Sequence, residues 1–279
     1  MRRNRIPELM IGIEGLALLR SAVDRDDDFV AARVAELKKL VDSIPGDESA
    51  GERLTELGLS NGYAFAAHAY DADPHFLIAA EEPAVRRVLA GLPPGRALDA
   101  ACGTGRHSAN LVSLGHDVIG IDQSPKMLEL AAAKVPEATF EVGDLEGLPL
   151  PDGAVDLVVC GLALSHLPDI TDVIGEFRRV LRPGGHLIVS DLHPVMVLLH
   201  GQYVWVGRSG ELLFMRNHPR LISDYLTAFA IHGFTLRSCQ EPLFAGPLPP
   251  GGYEEQIADA ANAAWDGVPS AIVWEVRAP

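Results

Sequence analysis

Short apolar runs alternate with helix-like segments from about residue 80 to the end of the chain. The apolar runs predict strands at 97–101, 117–121, 139–142, 155–160, 186–191, 234–238 and 271–277. Apolar residues at helical spacing predict helices between them, at 106–114, 126–133, 172–181 and 220–232. Strands that alternate with helices are typical of βα units wound around a parallel sheet. The pattern predicts a doubly wound α/β fold with a seven-stranded, mostly parallel sheet.

The N-terminal part of the chain has a different pattern. Residues 8–43 carry apolar positions at helical spacing, interrupted by acidic residues at 24–28, which predicts two helices. The turn-rich segment 45–51 separates them from the rest. We therefore expect an N-terminal helical extension over 1–50 and an α/β domain over 51–279. The extension could cover a functional site or pair two subunits as a homodimer.

The composition of the chain argues against nucleic acids, membranes and metal ions as partners. The formal net charge of −15 repels phosphate backbones, so we expect no nucleic-acid partner. No stretch approaches the roughly 20 apolar residues of a transmembrane helix, so we expect no membrane partner and a cytoplasmic location. The three cysteines are far apart in sequence and suggest neither a zinc site nor a disulfide framework. Asp191 and His193 lack a third ligand at usable spacing, so no metal site is predicted.

The first predicted strand of the sheet runs into a glycine-containing turn that opens a helix. Gly103 and Gly105 let the backbone bend sharply and approach a ligand closely, and the following helix presents its N-terminus there. Such a turn can bind a nucleotide-like molecule, although Gly-x-Gly also occurs in ordinary tight turns.

Two acids follow the next two predicted strands. Asp122 comes about 20 residues after the first glycine, where a carboxylate can accept both ribose hydroxyls, and Asp144 follows the third strand. Because parallel strands end at one edge of a sheet, both acids should line the same crevice as Gly103. The alternative is that Asp122 caps a helix and Asp144 stabilises a turn.

At this point the chain resembles the class I S-adenosylmethionine (SAM) dependent methyltransferases, in particular those that modify small molecules. The resemblance rests on segments in the family's order and spacing: Leu98-Asp-Ala-Ala-Cys-Gly-Thr-Gly105, Val118-Ile-Gly-Ile-Asp-Gln-Ser-Pro-Lys-Met-Leu128, Val142-Gly-Asp-Leu-Glu-Gly-Leu-Pro-Leu150, Val155-Asp-Leu-Val-Val-Cys160 and Val180-Leu-Arg-Pro-Gly-Gly185. The family's fold is the Rossmann-like sheet already predicted. The resemblance implies SAM as cofactor, S-adenosylhomocysteine (SAH) as product and a small-molecule acceptor methylated on oxygen, nitrogen or carbon.

The resemblance also implies a set of cofactor-binding residues. Those expected to contact the methionine half, the ribose, the adenine and the sulfonium are Asp99, Ala101, Gly103, Gly105, Asp122, Gln123, Met127, Asp144, Leu145, Gly161 and Leu162. Ala101 stands where the family often has glycine. A lid over 51–80 would place Tyr70 over the cofactor, with Tyr63 as the second choice, although either could be a core aromatic.

Methyl transfer from a sulfonium needs alignment and sometimes a base. His193, His166 and His218 are the candidate catalytic residues, since the first two follow predicted strands and the third lies in the acceptor region expected over 195–279. Each could instead only hydrogen bond a neighbouring carbonyl. The other histidines, His107 among them, are interpreted as structural or surface residues.

Two other functions share part of this pattern. A nicotinamide-dependent oxidoreductase also has glycines after its first strand and an acid after its second, but gives Asp144 no role. A SAM-binding protein that does not transfer methyl, such as a pericyclase-like enzyme, would share the whole pattern, because a fold does not determine chemistry.

Overall fold

A computed structural model describes residues 2–3, 6–23, 26–44, 53–66, 76–200, 204–206, 212–244, 246 and 253–279. The chain forms two compact units. The smaller unit comprises Met1–Leu57, Tyr203–Met215 and Leu243–Val268, and the larger unit comprises Gly58–Gln202, Arg216–Pro242 and Pro269–Pro279. Within the described ranges, every helix is too short or too polar to cross a membrane.

The elements are numbered in chain order. The helices are α1 (Ile6–Ser21), α2 (Asp27–Ser43), α3 (Leu59–Ala66), α4 (Phe76–Leu89), α5 (Arg106–Ser113), α6 (Pro125–Lys134), α7 (Thr171–Val180), α8 (Pro194–His200), α9 (Ile222–Ile231) and α10 (Ala258–Trp265). The strands are β1 (Arg2–Arg3), β2 (Arg53–Glu56), β3 (Arg96–Ala100), β4 (Asp117–Asp122), β5 (Thr139–Val142), β6 (Val155–Gly161), β7 (Leu181–Leu192), β8 (Val204–Val206), β9 (Leu212–Phe214), β10 (Thr235–Gln240) and β11 (Ala271–Arg277). Short 3-10 turns lie at Leu164–His166 and Tyr253–Ile257.

The larger unit is built on a seven-stranded sheet in the order β10-β11-β7-β6-β3-β4-β5. Strands β3 to β7 pair in parallel, and β11 lies antiparallel between β7 and β10. This confirms the predicted doubly wound sheet. The chain winds from β3 outward to β5 and then crosses back to β6 on the other side of β3, so the strand order reverses between β3 and β6. In doubly wound folds, ligands bind at the carboxyl ends of the strands next to such a reversal.

Apolar side chains hold helices on both faces of this sheet. Along β6, Val158 and Cys160 pack into a cluster that includes Phe177 of α7. Val159, which points to the opposite face, packs into a second cluster with Leu111 of α5. A strand covered on both faces must be apolar at consecutive positions, which is why β6 is apolar at every position from Leu157 to Cys160.

The smaller unit contains α1, α2 and α10 and a four-stranded sheet in the order β1-β2-β9-β8. The two N-terminal helices are present as predicted. Buried Glu14 of α1 pairs with Arg33 of α2 at 3.3 Å. The small sheet was not predicted, and its strands have only two to four residues each. Such short strands show no periodicity that distinguishes them from loops.

Candidate active site

The loop between β3 and α5 has three residues with positive φ. Ala101 has a φ of 57°, Gly103 of 54° and Gly105 of 80°. A Cβ on Gly105 would lie 3.2 Å from the Cβ of Ala131, whereas a Cβ on Gly103 would meet nothing within 4 Å. Gly105 is therefore required by conformation and by packing. Gly103 leaves open space over the backbone, which is what a ligand at this loop needs.

Asp122 ends β4 and holds this loop in place. Its Oδ2 accepts a hydrogen bond of 2.9 Å from the Gly103 amide, and its Oδ1 accepts one of 2.8 Å from the Ser124 amide. Burial raises the pKa of the carboxyl, and the two amide donors lower it in part. The carboxylate is thus fixed between the glycine loop and the start of α6, whose cap is the Ser124 side chain.

Asp99 lies in the middle of the same edge and is buried. Its Oδ2 accepts a hydrogen bond of 2.6 Å from Ser108 Oγ, but its buried Oδ1 has no hydrogen-bond partner within the described residues. Burial raises the pKa of this carboxyl, and His107 and Ser108 act in the opposite direction. A buried acceptor atom without a partner is costly in a folded protein. Asp99 therefore offers an acceptor that a cationic or hydrated ligand group would satisfy.

The residues expected around the adenine follow β4 and β5. Gln123 is exposed, Met127 is buried on α6, and Leu145 packs against the core cluster. Asp144 is exposed, and its Oδ1 accepts a hydrogen bond of 3.0 Å from the Glu146 amide. This contact is the turn-stabilising one considered for Asp144. Asp144 follows β5 and Asp122 ends the parallel neighbour β4, so both acids lie at the same edge of the sheet.

A buried charge cluster, absent from the sequence analysis, adjoins Asp99. Glu81 of α4 is fully buried; its Oε1 accepts hydrogen bonds from His107 Nε2, at 3.0 Å, and from Ser190 Oγ at the end of β7. Its Oε2 pairs with Arg106 Nη1 at 2.7 Å. Burial alone would raise the pKa of Glu81, but His107 and Arg106 outweigh it and hold the pKa at about 2. Glu81 thus remains ionised and ties α4 to α5 and β7.

The sequence contains one signal for this cluster. Glu81 stands on the apolar stripe of α4, four residues after Leu77 and four before Val85, both buried. A charged residue on an apolar stripe is seldom buried unless it is paired. The partners, on other elements, were not identifiable from spacing.

β6 ends at a close contact with this cluster. A Cβ on Gly161 would lie 2.5 Å from His107 Nε2, so only glycine fits beside the imidazole. Leu162, the next residue, is buried and has a φ of 56°. His107, interpreted from sequence as structural or surface, therefore lies against a residue expected at the sulfonium.

His166 lies on the 3-10 turn after β6. Its Nδ1 is 2.8 Å from the carbonyl oxygen of Arg216, and its Nε2 is 2.8 Å from the hydroxyl of Tyr63 on α3. The rings of Tyr63 and His166 meet edge to face, with centroids 5.7 Å apart. Tyr63 therefore contacts a candidate catalytic residue. Tyr70, the preferred lid contact, lies outside the described residues.

The other two candidate histidines have different surroundings. His193 follows β7 and is buried; its Nε2 lies 2.9 Å from Glu241 Oε1, and its Nδ1 accepts from the Val195 amide at 3.1 Å. Both of its ring nitrogens are thus engaged, Nδ1 by the start of α8 and Nε2 by the residue that follows β10. The backbone amide of His218 donates to the carbonyl of Ser165 at 2.7 Å, which joins the His218 segment to the turn of His166.

Residues 98–189 match the family model described as a methyltransferase domain. This part of the chain is a methyltransferase domain of the class I SAM-dependent type. The matched range contains the glycine loop, Asp122, Asp144 and His166. The family is an enzyme family that uses SAM as cofactor.

Known methyltransferases and proteins of the same fold are similar to this chain over different lengths. Malonyl-[acyl-carrier protein] O-methyltransferase of Serratia marcescens is 32% identical over 148 residues, which cover 52% of this chain and 56% of that protein. The match thus spans little more than half the length of this relative. A SAM-dependent methyltransferase structure from Mesorhizobium loti covers 72% of this chain and 99% of its own, with 24% identity and a TM-score of 0.55. The cyclase SpnF covers 79% of this chain and 96% of its own, with 20% identity and a TM-score of 0.57. At these identities, the two structures show the fold alone.

Proposed function

We propose that this protein transfers the sulfonium methyl group of SAM to an oxygen, nitrogen or carbon atom of a small-molecule acceptor. The observation that carries the proposal is the Asp122 carboxylate, which holds the glycine loop and the start of α6 at the end of β4. A carboxylate at this point of a doubly wound sheet suits a ribose diol. The matched methyltransferase domain favours SAM over a nicotinamide nucleotide as the source of that ribose.

The residues present suit SAM in two further respects. The buried, unpartnered Oδ1 of Asp99 would accept a hydrogen bond from the amino group of the methionine half, directly or through water. The open space over Gly103 leaves room for the same half of the molecule. When bound, SAM would supply a methyl group on a cationic sulfur. An acceptor can attack the methyl carbon directly, with the sulfur as leaving group.

The chain's own contribution to this reaction would be alignment and the exclusion of water. Asp122, Gln123, Met127, Asp144 and Leu145 would hold the nucleoside, and Ala101, Gly103, Gly105, Gly161 and Leu162 would form the backbone around the methionine half and the sulfur. Orienting two reactants in this way can account for about 7 to 11 kcal/mol of a barrier. We retain His166, His193 and His218 as candidate catalytic residues, and 195–279 as the proposed acceptor region.

The first test is calorimetric titration of the purified protein with SAH and, separately, with NADH. We expect micromolar binding of SAH and none of NADH. Binding of NADH alone would instead favour an oxidoreductase and would remove the proposed role of Asp144.

A second candidate is a SAM-binding enzyme that does not transfer methyl, because a fold does not determine chemistry. SpnF, which is a [4+2]-cyclase, shares the fold. The two candidates differ in the fate of the methyl group. With methyl-labelled SAM and a candidate acceptor, a methyltransferase moves the label into the product as SAH accumulates. An acceptor that is converted without uptake of the label would favour the second candidate.

A further inference from the structure

We propose that Tyr63 and His166 form a proton-accepting pair, and that the acceptor is therefore a neutral hydroxyl compound, a phenol or an alcohol. This proposal rests on the proposed methyl transfer and specifies its substrate class. Its basis is the pair of hydrogen bonds to the His166 ring, one to the Arg216 carbonyl and one to the Tyr63 hydroxyl.

The Arg216 carbonyl determines which nitrogen of His166 carries the proton. A carbonyl oxygen can only accept, so the 2.8 Å contact requires a hydrogen on Nδ1. In a neutral imidazole the other nitrogen then has a free lone pair. Nε2 uses this lone pair to accept the hydrogen bond from the Tyr63 hydroxyl. His166 Nε2, which faces Tyr63, is thus a base. This role of Tyr63 differs from the cofactor contact for which it was the second choice in the sequence.

A buried polar network holds the turn of His166 in position. Arg220 is buried and donates to the carbonyls of Leu164 and Leu167, at 3.0 and 2.6 Å, on either side of His166. Its guanidinium lies 5.5 Å from the ring centre of Tyr225, whose hydroxyl donates to Asp191 at 2.8 Å. A base fixed by its neighbours loses little entropy when it reacts, which is what proton transfer from a bound acceptor requires.

The position of His166 in the chain ties the pair to the methyl-transfer site. His166 follows Leu162 by one short turn, and the Leu162 amide donates to the Ser190 carbonyl at the end of β7, at 2.8 Å. Leu162 is one of the residues expected beneath the sulfonium. His166 therefore lies on the segment that leads directly away from the expected methyl position, and Tyr63 contacts it from α3.

The proposed proton path keeps charge and atoms in balance. As the acceptor oxygen forms its bond to the methyl carbon, the methyl–sulfur bond breaks and its electron pair stays on sulfur. The acceptor O–H bond breaks, its proton passes to the Tyr63 oxygen, and the original Tyr63 proton passes to His166 Nε2. The positive charge lost by the sulfonium thus appears on the His166 imidazolium, which later releases its proton to solvent.

This path favours hydroxyl acceptors over other nucleophiles. A carboxylate is already an anion at neutral pH and gains nothing from a base. A neutral amine attacks through its lone pair and can lose its proton to water afterwards. A phenol or alcohol becomes a better nucleophile only when its proton is removed, and a general base typically contributes a factor of about 100 to 10,000 to such a step.

The first test needs no acceptor. Nitrogen NMR of 15N-histidine protein loaded with SAH reports which ring nitrogen is protonated, and His166→Asn assigns the signals. We expect His166 to carry its proton on Nδ1, and Tyr63→Phe to move only the Nε2 signal. His193 is the internal control, because its Nδ1 accepts from the Val195 amide and its proton should be on Nε2. A proton on Nε2 of His166, or no effect of Tyr63→Phe, would overturn the proposal.

The second test uses phenols and alcohols, with matched carboxylic acids, and measures release of SAH from SAM. For a hydroxyl compound that the wild type methylates, Tyr63→Phe and His166→Asn should each lower turnover by about 100-fold or more, with SAH affinity unchanged. Methylation of the acids but of no hydroxyl compound, or variant turnover within tenfold of wild type, would contradict the proposal while leaving methyl transfer intact. Failure of the wild type to bind SAH would instead contradict the proposed function itself.

Discussion

Replacing Glu81 by glutamine tests whether the buried charge cluster stabilises the larger unit. Glu81 has a pKa of about 2 instead of the ordinary 4.5, because its ionised form pairs with His107 and Arg106 strongly enough to outweigh burial. At about 1.4 kcal/mol per pKa unit, this difference corresponds to roughly 3 kcal/mol at neutral pH. Removal of one partner from a buried ion pair typically costs about 3 to 5 kcal/mol, which agrees. We expect Glu81→Gln to lower the free energy of unfolding by about 3 kcal/mol at pH 7.

The pH dependence separates this mechanism from a general packing defect. A carboxyl whose pKa is lowered on folding stabilises the native state fully above its unfolded pKa of about 4.5, and this contribution is lost as the pH falls towards about 2. The difference between wild type and Glu81→Gln in urea denaturation should therefore be constant from pH 7 to 5 and shrink below pH 4.5. Glu82→Gln is the matched control, because Glu82 pairs mainly with exposed Arg86 and should contribute less than about 1 kcal/mol. An equal difference at pH 7 and pH 3.5 would refute the electrostatic explanation.

Three substitutions test the strand edge. Asp122→Ala should remove most of the rise in melting temperature that SAH produces, whereas Asp117→Ala, at the exposed start of β4, should retain it. Gly161→Ala places a Cβ 2.5 Å from His107 Nε2 and should lower the free energy of unfolding by about 1 to 3 kcal/mol in chemical denaturation, so an unchanged value would mean that His107 can move away. Ala101→Gly removes the steric cost of a φ of 57° and should raise the free energy of unfolding, measured by chemical denaturation, by up to about 1 kcal/mol. A lower free energy of unfolding in this variant would show that alanine is well accommodated there.

The fold was predictable because its signals are local and repeated. Most strands of the main sheet contain a short apolar run, as β6 does from Leu157 to Cys160, whereas β10 is largely polar. The predicted range 139–142 coincides with β5. The helix predicted at 126–133 is α6, which begins one residue earlier at Pro125 and is capped by Ser124. β7 begins at Leu181 rather than 186, because Arg182 to Gly185 continue the strand instead of forming only a turn. Sequence motifs with Pro and Gly predict the end of a helix better than the start of the next element.

The acceptor side was less predictable, because its contacts join distant parts of the chain. His166 and His193 both follow strands, and spacing could not distinguish them. The structure gives His166 a tyrosine from α3 and a carbonyl from the segment before α9, and gives His193 a glutamate that follows β10. None of these partners lies near its histidine in sequence. A pattern can thus place a side chain at an edge of the sheet, but not the hydrogen bonds that determine its chemistry.

Backbone strain indicates the same edge without reference to any motif. Among the described residues, the non-glycine residues with positive φ are Ala101 and Leu162. They directly follow β3 and β6, the two strands between which the sheet order reverses. Such conformations cost on the order of 1 kcal/mol each and persist only where the surroundings impose them, most often at binding sites. The unpartnered oxygen of Asp99 lies on β3 beside them, so strain and unsatisfied polarity coincide at the point where the glycine loop was expected to bind SAM. Packing alone gives no reason for these costs to concentrate at one end of two adjacent strands, whereas a ligand bound there does.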